Sequence, residues 1–127
     1  MKRTDWILRK RIASFGYAFK GIGTLFGQPN ACIHIAVAAV VIVCGIWLEL
    51  VPWEWSVVAL CIGGVLMAEA FNSAVEALAD KVSPGKDPLI GKAKDLAAGA
   101  VLLMVFAAVA AGLIIFLPKF LALFYDF

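Results

Sequence analysis

Three long stretches of this chain carry almost no charge, and they constrain the fold more than any other feature. The first, CIHIAVAAVVIVCGIWL at residues 32–48, contains no Asp, Glu, Lys or Arg. With its flanks it reaches the roughly 20 residues that an α-helix needs to cross about 30 Å of hydrocarbon. Two further runs of spanning length follow. We therefore predict an all-α integral membrane protein with three transmembrane helices, over about 31–49, 55–79 and 95–117.

The composition agrees with a membrane protein and limits what else the chain can contain. Hydrophobic residues make up 64% of the 127 residues and charged residues 16%, whereas soluble domains have about 45–50% and 25%. The three spans use most of the chain, so no room remains for a separate soluble catalytic domain. We expect residues 1–127 to form a single membrane-embedded domain that acts in or at the bilayer.

The N-terminal segment, about 5–28, has a different pattern and predicts a surface helix. Apolar side chains recur every three or four residues, which gives a helix one apolar face; they are Leu8, Ile12, Phe15, Phe19, Ile22 and Phe26. Basic residues accompany the stripe, so we interpret the segment as an amphipathic helix on an anionic membrane surface. An ordinary helix packed against the other three is the alternative.

The distribution of basic residues predicts the orientation. All but one fall on one side of this topology: Lys2, Arg3, Arg9, Lys10, Arg11, Lys20, Lys81, Lys86, Lys92 and Lys94. Because cytoplasmic segments are enriched in Lys and Arg, we expect the N-terminus and the 80–95 loop to face the cytoplasm. Lys119 alone lies on the far side, just after Pro118, which we expect to end the third helix.

Polar residues interrupt the second span at helical spacing. Glu69, Asn72, Ser73 and Glu76, followed by Asp80, share one helix face. Burying a carboxylate in a membrane is costly, so two on one stripe indicate a functional site. The alternative, polar contacts between helices, more often uses Ser, Thr or Asn. Glu69 lies roughly 10 Å deeper than Glu76, which suits a general base acting on an alcohol at Glu69 and Mg²⁺ binding at Glu76.

The loop after the second span supplies groups for phosphate. Lys92, Lys94 and Asp95 are expected at the start of the third helix, where backbone N–H groups and a lysine can hold phosphate oxygens. The phosphate-binding motif GxxxxGK[ST] is absent from the sequence, so a P-loop nucleotide site is excluded.

Six stretches resemble the prokaryotic diacylglycerol kinase and undecaprenol kinase family. They are SFGYAFKGI (14–22), PNACIH (29–34), EW (54–55), EAFNSAVEALAD (69–80), GKAKDLAAGAVL (91–102) and GLIIFLPK (112–119). The resemblance implies a homotrimer with its active sites between protomers, and a lipid kinase that uses MgATP to phosphorylate a membrane alcohol. The second, third and sixth stretches look more like undecaprenol kinases than like diacylglycerol kinases.

The same resemblance assigns roles to individual residues. Glu69 would activate the lipid hydroxyl, with Asn72 in support and Ala98 beside the lipid. The nucleotide and its metal would be bound by Lys10, Tyr17, Gln28, Glu76, Lys94 and Asp95, with Glu76 and Gln28 as the metal ligands. Gln28 stands where the family has a second metal-binding glutamate, so we expect a weak metal site. An inactive regulatory member of the family, or a small ion-coupled transporter, is the alternative function.

Overall fold

The computed structural model describes residues 3–125, and within that range the chain forms four α-helices and no strand. They are α1 (Arg3–Phe26), α2 (Pro29–Trp47), α3 (Pro52–Val82) and α4 (Pro88–Tyr125). Helices α2, α3 and α4 are long and apolar enough to cross a membrane. The predicted all-α architecture with three candidate spans is confirmed.

Each of the three long helices begins at a proline, which the first turn of a helix tolerates because its N–H would be unpaired there. Acidic side chains accept hydrogen bonds from other backbone N–H groups at the starts of α3 and α4. Glu54 Oε2 accepts a hydrogen bond from the Val51 N–H at 2.8 Å before α3. Asp87 Oδ1 accepts from the Leu89 and Ile90 N–H groups at 2.8 and 3.0 Å at the start of α4. These acidic residues fix where α3 and α4 begin.

Helix α4 is longer than the sequence predicts at both ends. It begins at Pro88 because Asp87 caps it. The predicted end at Pro118 is wrong, because the helix continues through this proline to Tyr125. A proline inside a helix removes one backbone hydrogen bond. The segment beyond Pro118 is held by contacts with other elements: Lys119 Nζ lies 3.1 Å from Glu54 Oε2, and the Phe120 ring centroid lies 6.0 Å from that of Trp47.

Helices α3 and α4 pack along much of their length, and α2 packs against α3. The most buried apolar cluster contains Leu50, Val58 and Ile115. Most other large apolar side chains are exposed in the single chain. In α1, every side chain from Thr4 to Thr24 is exposed, and Leu25 alone is buried among the described residues of that helix.

The three long helices differ in length, and this difference positions the polar residues. Helix α2 has 19 residues, against 31 in α3 and 38 in α4; at 1.5 Å per residue, α2 is about 28 Å long and α3 about 46 Å. The short turn after α2 leads directly into α3, so the end of α2 and the start of α3 lie at the same level. Further along, His34 of α2 and Leu66 of α3 line one apolar groove and so lie at a similar level. The last turns of α3 and the first turns of α4 therefore extend beyond the start of α2. We call residues 72–98 the projecting end.

Candidate functional site

Exposure increases along the polar face of α3 toward the projecting end. Glu69 is 3% exposed and Asn72 is 5% exposed, whereas Glu76 and Asp80 are exposed. The four residues follow one another at spacings of three and four, which keeps them on one side of the helix. The face therefore runs from a buried carboxylate to exposed carboxylates over about 16 Å.

Asn72 connects the buried and the exposed part of this face. Its Nδ2 donates a hydrogen bond to Glu76 Oε1 at 3.3 Å. Its Oδ1 is buried and has no hydrogen-bond partner among residues 3–125. A buried polar atom without a partner is costly, so this oxygen is an acceptor that a donor group of a bound molecule would satisfy.

On α4, Lys94 faces the same region. Its Nζ lies 2.9 Å from Asp80 Oδ1, and both side chains are partly exposed. The pKa of Lys94, which lies just before the predicted third span, is raised. The cause is its hydrogen bond to Asp80, together with the negative charges of Asp80 and Glu76. The ammonium group is therefore charged at neutral pH. An exposed ion pair contributes little stability, so Lys94 can exchange Asp80 for a phosphate oxygen at small cost.

The prediction that Lys92, Lys94 and Asp95 stand at the start of the third helix is wrong. The helix begins at Pro88, about one turn before Lys92 and about two turns before Asp95, and the N–H of Gly91 already bonds to the Asp87 carbonyl at 2.9 Å. Backbone N–H groups near Lys94 are thus paired within the helix, so phosphate contacts there must come from side chains. Asp95 and Ala98 are exposed on the following turn.

The connection between α3 and α4 borders a cavity of about 430 Å³ that is open to solvent. Asp80, Lys94 and the loop from Ser83 to Pro88 line it. Neither the pairing of Asp80 with Lys94 nor the helix cap at Asp87 was among the features predicted from the sequence. An Asp-Pro pair is a recognised start signal for a helix and would have located Asp87; nothing local indicates the pairing of Asp80 with Lys94.

The remaining predicted site residues lie on or next to α1. Lys10 Nζ lies 5.0 Å from the centre of the Trp6 ring, and Tyr17 is 72% exposed. Gln28 is half-buried before α2, where its side chain makes no capping hydrogen bond. Across residues 3–125, no hydrogen bond or ion pair joins these three residues to Glu76 or Lys94.

The donor groups fit a divalent metal that arrives with a nucleotide. Residues 3–125 contain no group of three or more His, Cys, Asp or Glu side chains able to hold a metal ion. Metals bound with nucleotides commonly use one or two carboxylates, with substrate phosphates and water completing the shell. The exposed carboxylate of Glu76 meets this requirement, since Asn72 positions it close to the charged Lys94.

Comparison with known proteins identifies the family of the chain. Residues 16–116 match the family model of prokaryotic diacylglycerol kinase. The chain is 39% identical over 113 residues to undecaprenol kinase of Bacillus subtilis (strain 168), covering 88% of this chain and 92% of that protein. It is 35% identical to diacylglycerol kinase of Synechocystis sp. (97% and 72% covered) and 33% identical to that of Escherichia coli (strain K12) (77% and 81% covered). The chain therefore belongs to the prokaryotic diacylglycerol kinase family of ATP-dependent lipid kinases.

Proposed function

We propose that the chain transfers the γ-phosphate of MgATP to the hydroxyl of undecaprenol, with diacylglycerol as the next candidate, at the cytoplasmic face of a bacterial inner membrane. The observation that carries this proposal is the polar face of α3, where a buried Glu69 is followed by an exposed Glu76. A lipid hydroxyl from the apolar side and a nucleotide from the aqueous side would meet along that face.

Glu69 would take the proton of the lipid hydroxyl as its oxygen attacks the γ-phosphorus. A general base of this kind must lie within hydrogen-bond reach of the hydroxyl. The unpaired Asn72 Oδ1 offers a second contact for a donor at the same depth. Ala98 is small and exposed on the facing helix, so it leaves room for the lipid headgroup.

On the nucleotide side, Glu76 would hold Mg²⁺ with help from the amide oxygen of Gln28, and the ion would neutralise charge on the phosphates. Lys94 would release Asp80 to hold a phosphate oxygen, and Asp95 would contact the nucleotide beside it. An oriented lysine is effective because charge develops on the phosphate oxygens during transfer.

We infer a homotrimer in which a neighbouring protomer completes the nucleotide site. In one chain, no polar contact joins Lys10, Tyr17 or Gln28 of the described residues to Glu76 or Lys94. The exposed, amphipathic α1 would lie on the membrane surface, where Lys10 and Tyr17 would contact a nucleotide bound to the adjacent protomer.

The preference for undecaprenol is supported by the relatives. The identity is 39% to an undecaprenol kinase that the chain covers over 92% of its length, against 35% and 33% for the two diacylglycerol kinases. The alternative of an ion-coupled transporter explains two intramembrane carboxylates but not the pairing of Lys94 with Asp80 beside them.

The test is direct competition between the two lipids. Purified protein receives ATP labelled at the γ-phosphate, with undecaprenol and diacylglycerol at equal mole fractions in mixed micelles. We expect most label in undecaprenyl phosphate. Label mainly in phosphatidic acid would change the substrate, and no lipid labelling at high Mg²⁺ would refute the catalytic function and support an inactive family member.

A further inference from the structure

Helix α1 carries an aromatic side chain on the face where a helix bound to a membrane surface would be polar. Trp6 lies about 120–180° around the helix from the six residues of the apolar stripe. In an amphipathic helix at a membrane surface, the apolar stripe is the part that enters the lipid. In the proposed orientation of α1, Trp6 therefore points away from the hydrocarbon, and its side chain, 54% exposed, faces water.

Two residues that the family resemblance assigns to the nucleotide lie on the same face as Trp6. Lys10 and Tyr17 are about 40° and 20° from it around the helix, and about one and three turns further along. Lys10 Nζ lies 5.0 Å from the centre of the Trp6 ring, which is within the range of a cation–π contact. Tyr17 is exposed. This side of α1 therefore presents two accessible aromatic rings with a cation between them.

The same face carries further positive charge. Arg9 and Lys20 lie within about 60° of Trp6 around the helix. Neither they nor Lys10 form an ion pair within residues 3–125. Cations without a protein partner can bind phosphate oxygens, and an aromatic ring gives a nucleobase a surface on which to stack. An apolar ligand would not use the charges and inorganic phosphate would not use the rings, whereas a nucleotide uses both.

The other common role of an exposed tryptophan is to anchor a protein at the membrane interface, where indole rings accumulate. Trp47, at the end of α2, and Trp53, at the start of α3, are placed for that role at the ends of candidate spans. Trp6 differs from them because the apolar stripe of its helix is on the opposite face and because Lys10 lies over its ring.

We propose that Trp6 stacks against the base of the nucleotide and makes the enzyme favour purine over pyrimidine nucleoside triphosphates. The proposal rests on the kinase function proposed above, with α1 of one protomer beside the nucleotide site of the next. The base would lie toward the start of α1 and the phosphates toward Lys10 and Tyr17. Because a cation–π contact at an exposed site is weak, Lys10 can leave the indole for a phosphate oxygen. A purine covers more of the indole than a pyrimidine and gains more from stacking.

The test compares Trp6→Ala with Trp6→Phe and with Trp53→Ala, which removes an exposed tryptophan far from α1. Purified proteins in mixed micelles phosphorylate whichever lipid wild type uses faster, with ATP or CTP as donor and inorganic tripolyphosphate as an inhibitor that lacks a base. We expect Trp6→Ala to raise the KM for ATP about fivefold and the KM for CTP less, with kcat and inhibition by tripolyphosphate unchanged. Trp6→Phe should fall between, and Trp53→Ala should match wild type.

Three results would overturn the proposal. Equal weakening of ATP and tripolyphosphate would mean that Trp6 acts on the phosphates or on the fold of α1. An unchanged KM for ATP would place the base elsewhere. In vesicles of brominated lipids, a smaller quenched fluorescence signal from Trp6→Phe than from wild type would identify Trp6 as a membrane anchor.

Failure of the kinase function is visible separately, as a wild type that phosphorylates no lipid. The role of Trp6 is then decided by calorimetric binding of ATP and tripolyphosphate to the same variants. Weaker binding of ATP alone to Trp6→Ala supports the stacking contact, and equal binding of ATP to wild type and variant refutes it.

Discussion

Replacement of Glu69 by glutamine separates the proposed chemical step from nucleotide binding. Glu69 is 3% exposed, so its replacement must keep the packing of the site. Glutamine has nearly the same size and shape, and substitutions that conserve volume disturb a packed interior least. What the variant loses is the carboxylate that accepts the proton of the lipid hydroxyl.

The expected magnitude follows from the position of the residue. A positioned general base contributes about 10²–10⁴ in rate, which corresponds to a barrier higher by roughly 2.7–5.4 kcal/mol. Glu69 lies seven residues from Glu76, so about 10 Å of helix separate it from the proposed metal ligand. The hydrogen bond from Asn72 to Glu76 is unaffected by the change. The KM for ATP and the Mg²⁺ requirement should therefore stay within about twofold of wild type.

The assay measures transfer of labelled phosphate to undecaprenol under saturating ATP and Mg²⁺, with nucleotide binding measured separately by calorimetry. Glu49→Gln is the matched control, because Glu49 lies in the turn between α2 and α3 and should show the wild-type rate. A Glu69→Gln protein that keeps more than a tenth of the wild-type rate would exclude Glu69 as the base. Loss of ATP binding together with activity would show that the residue supports the nucleotide site instead.

Further variants test the metal site, the orientation and the packing. Glu76→Gln should raise the Mg²⁺ concentration for half-maximal rate several-fold, because the ion loses a charged ligand; unchanged Mg²⁺ dependence would make Glu76 structural. Gln28→Glu should lower that concentration, and identical titrations would show that residue 28 does not face the metal. A cysteine at Pro84, in a background without native cysteines, should react with an impermeant thiol reagent only from the cytoplasmic side; labelling from outside would invert the topology. Gly45→Ala should lower the thermal unfolding midpoint, since its Cβ would lie 2.8 Å from the Trp55 ring, with strain of about 1–3 kcal/mol against a helix gain of about 1 kcal/mol; an unchanged midpoint would mean that the indole moves aside freely.

The spacing of Glu69, Asn72 and Glu76 was enough to predict that they share a helix face, because helical periodicity is a local property. The length of α4 was not predictable in the same way. Pro118 is a strong local signal for a helix end, and it is overridden by the contact of Lys119 with Glu54, far away in the sequence. The earlier start of α4 was readable in Asp87 followed by Pro88, but the charges around them indicated a loop.

The predicted site residues on α1 show a different limit of prediction from sequence. The stripe of apolar residues identified a helix, which the structure contains over Arg3–Phe26. Sequence alone could not show how Lys10 and Tyr17 relate to Glu76, because within one chain α1 has a single buried side chain, Leu25, among its described residues. In the proposed trimer these contacts would come from a neighbouring protomer, and such contacts have no local signature in the sequence.

The short α2 makes the protein sensitive to the thickness of its membrane. At 19 residues, α2 matches a hydrocarbon layer of about 30 Å with little to spare, whereas α3 and α4 have length in reserve. In bilayers of longer-chain lipids, α2 would draw its polar ends inward or thin the lipid around it. Glu69 lies near the level where α2 begins, so its depth below the headgroups would follow the acyl-chain length. Turnover should then peak in vesicles whose lipids match α2 and decline on either side.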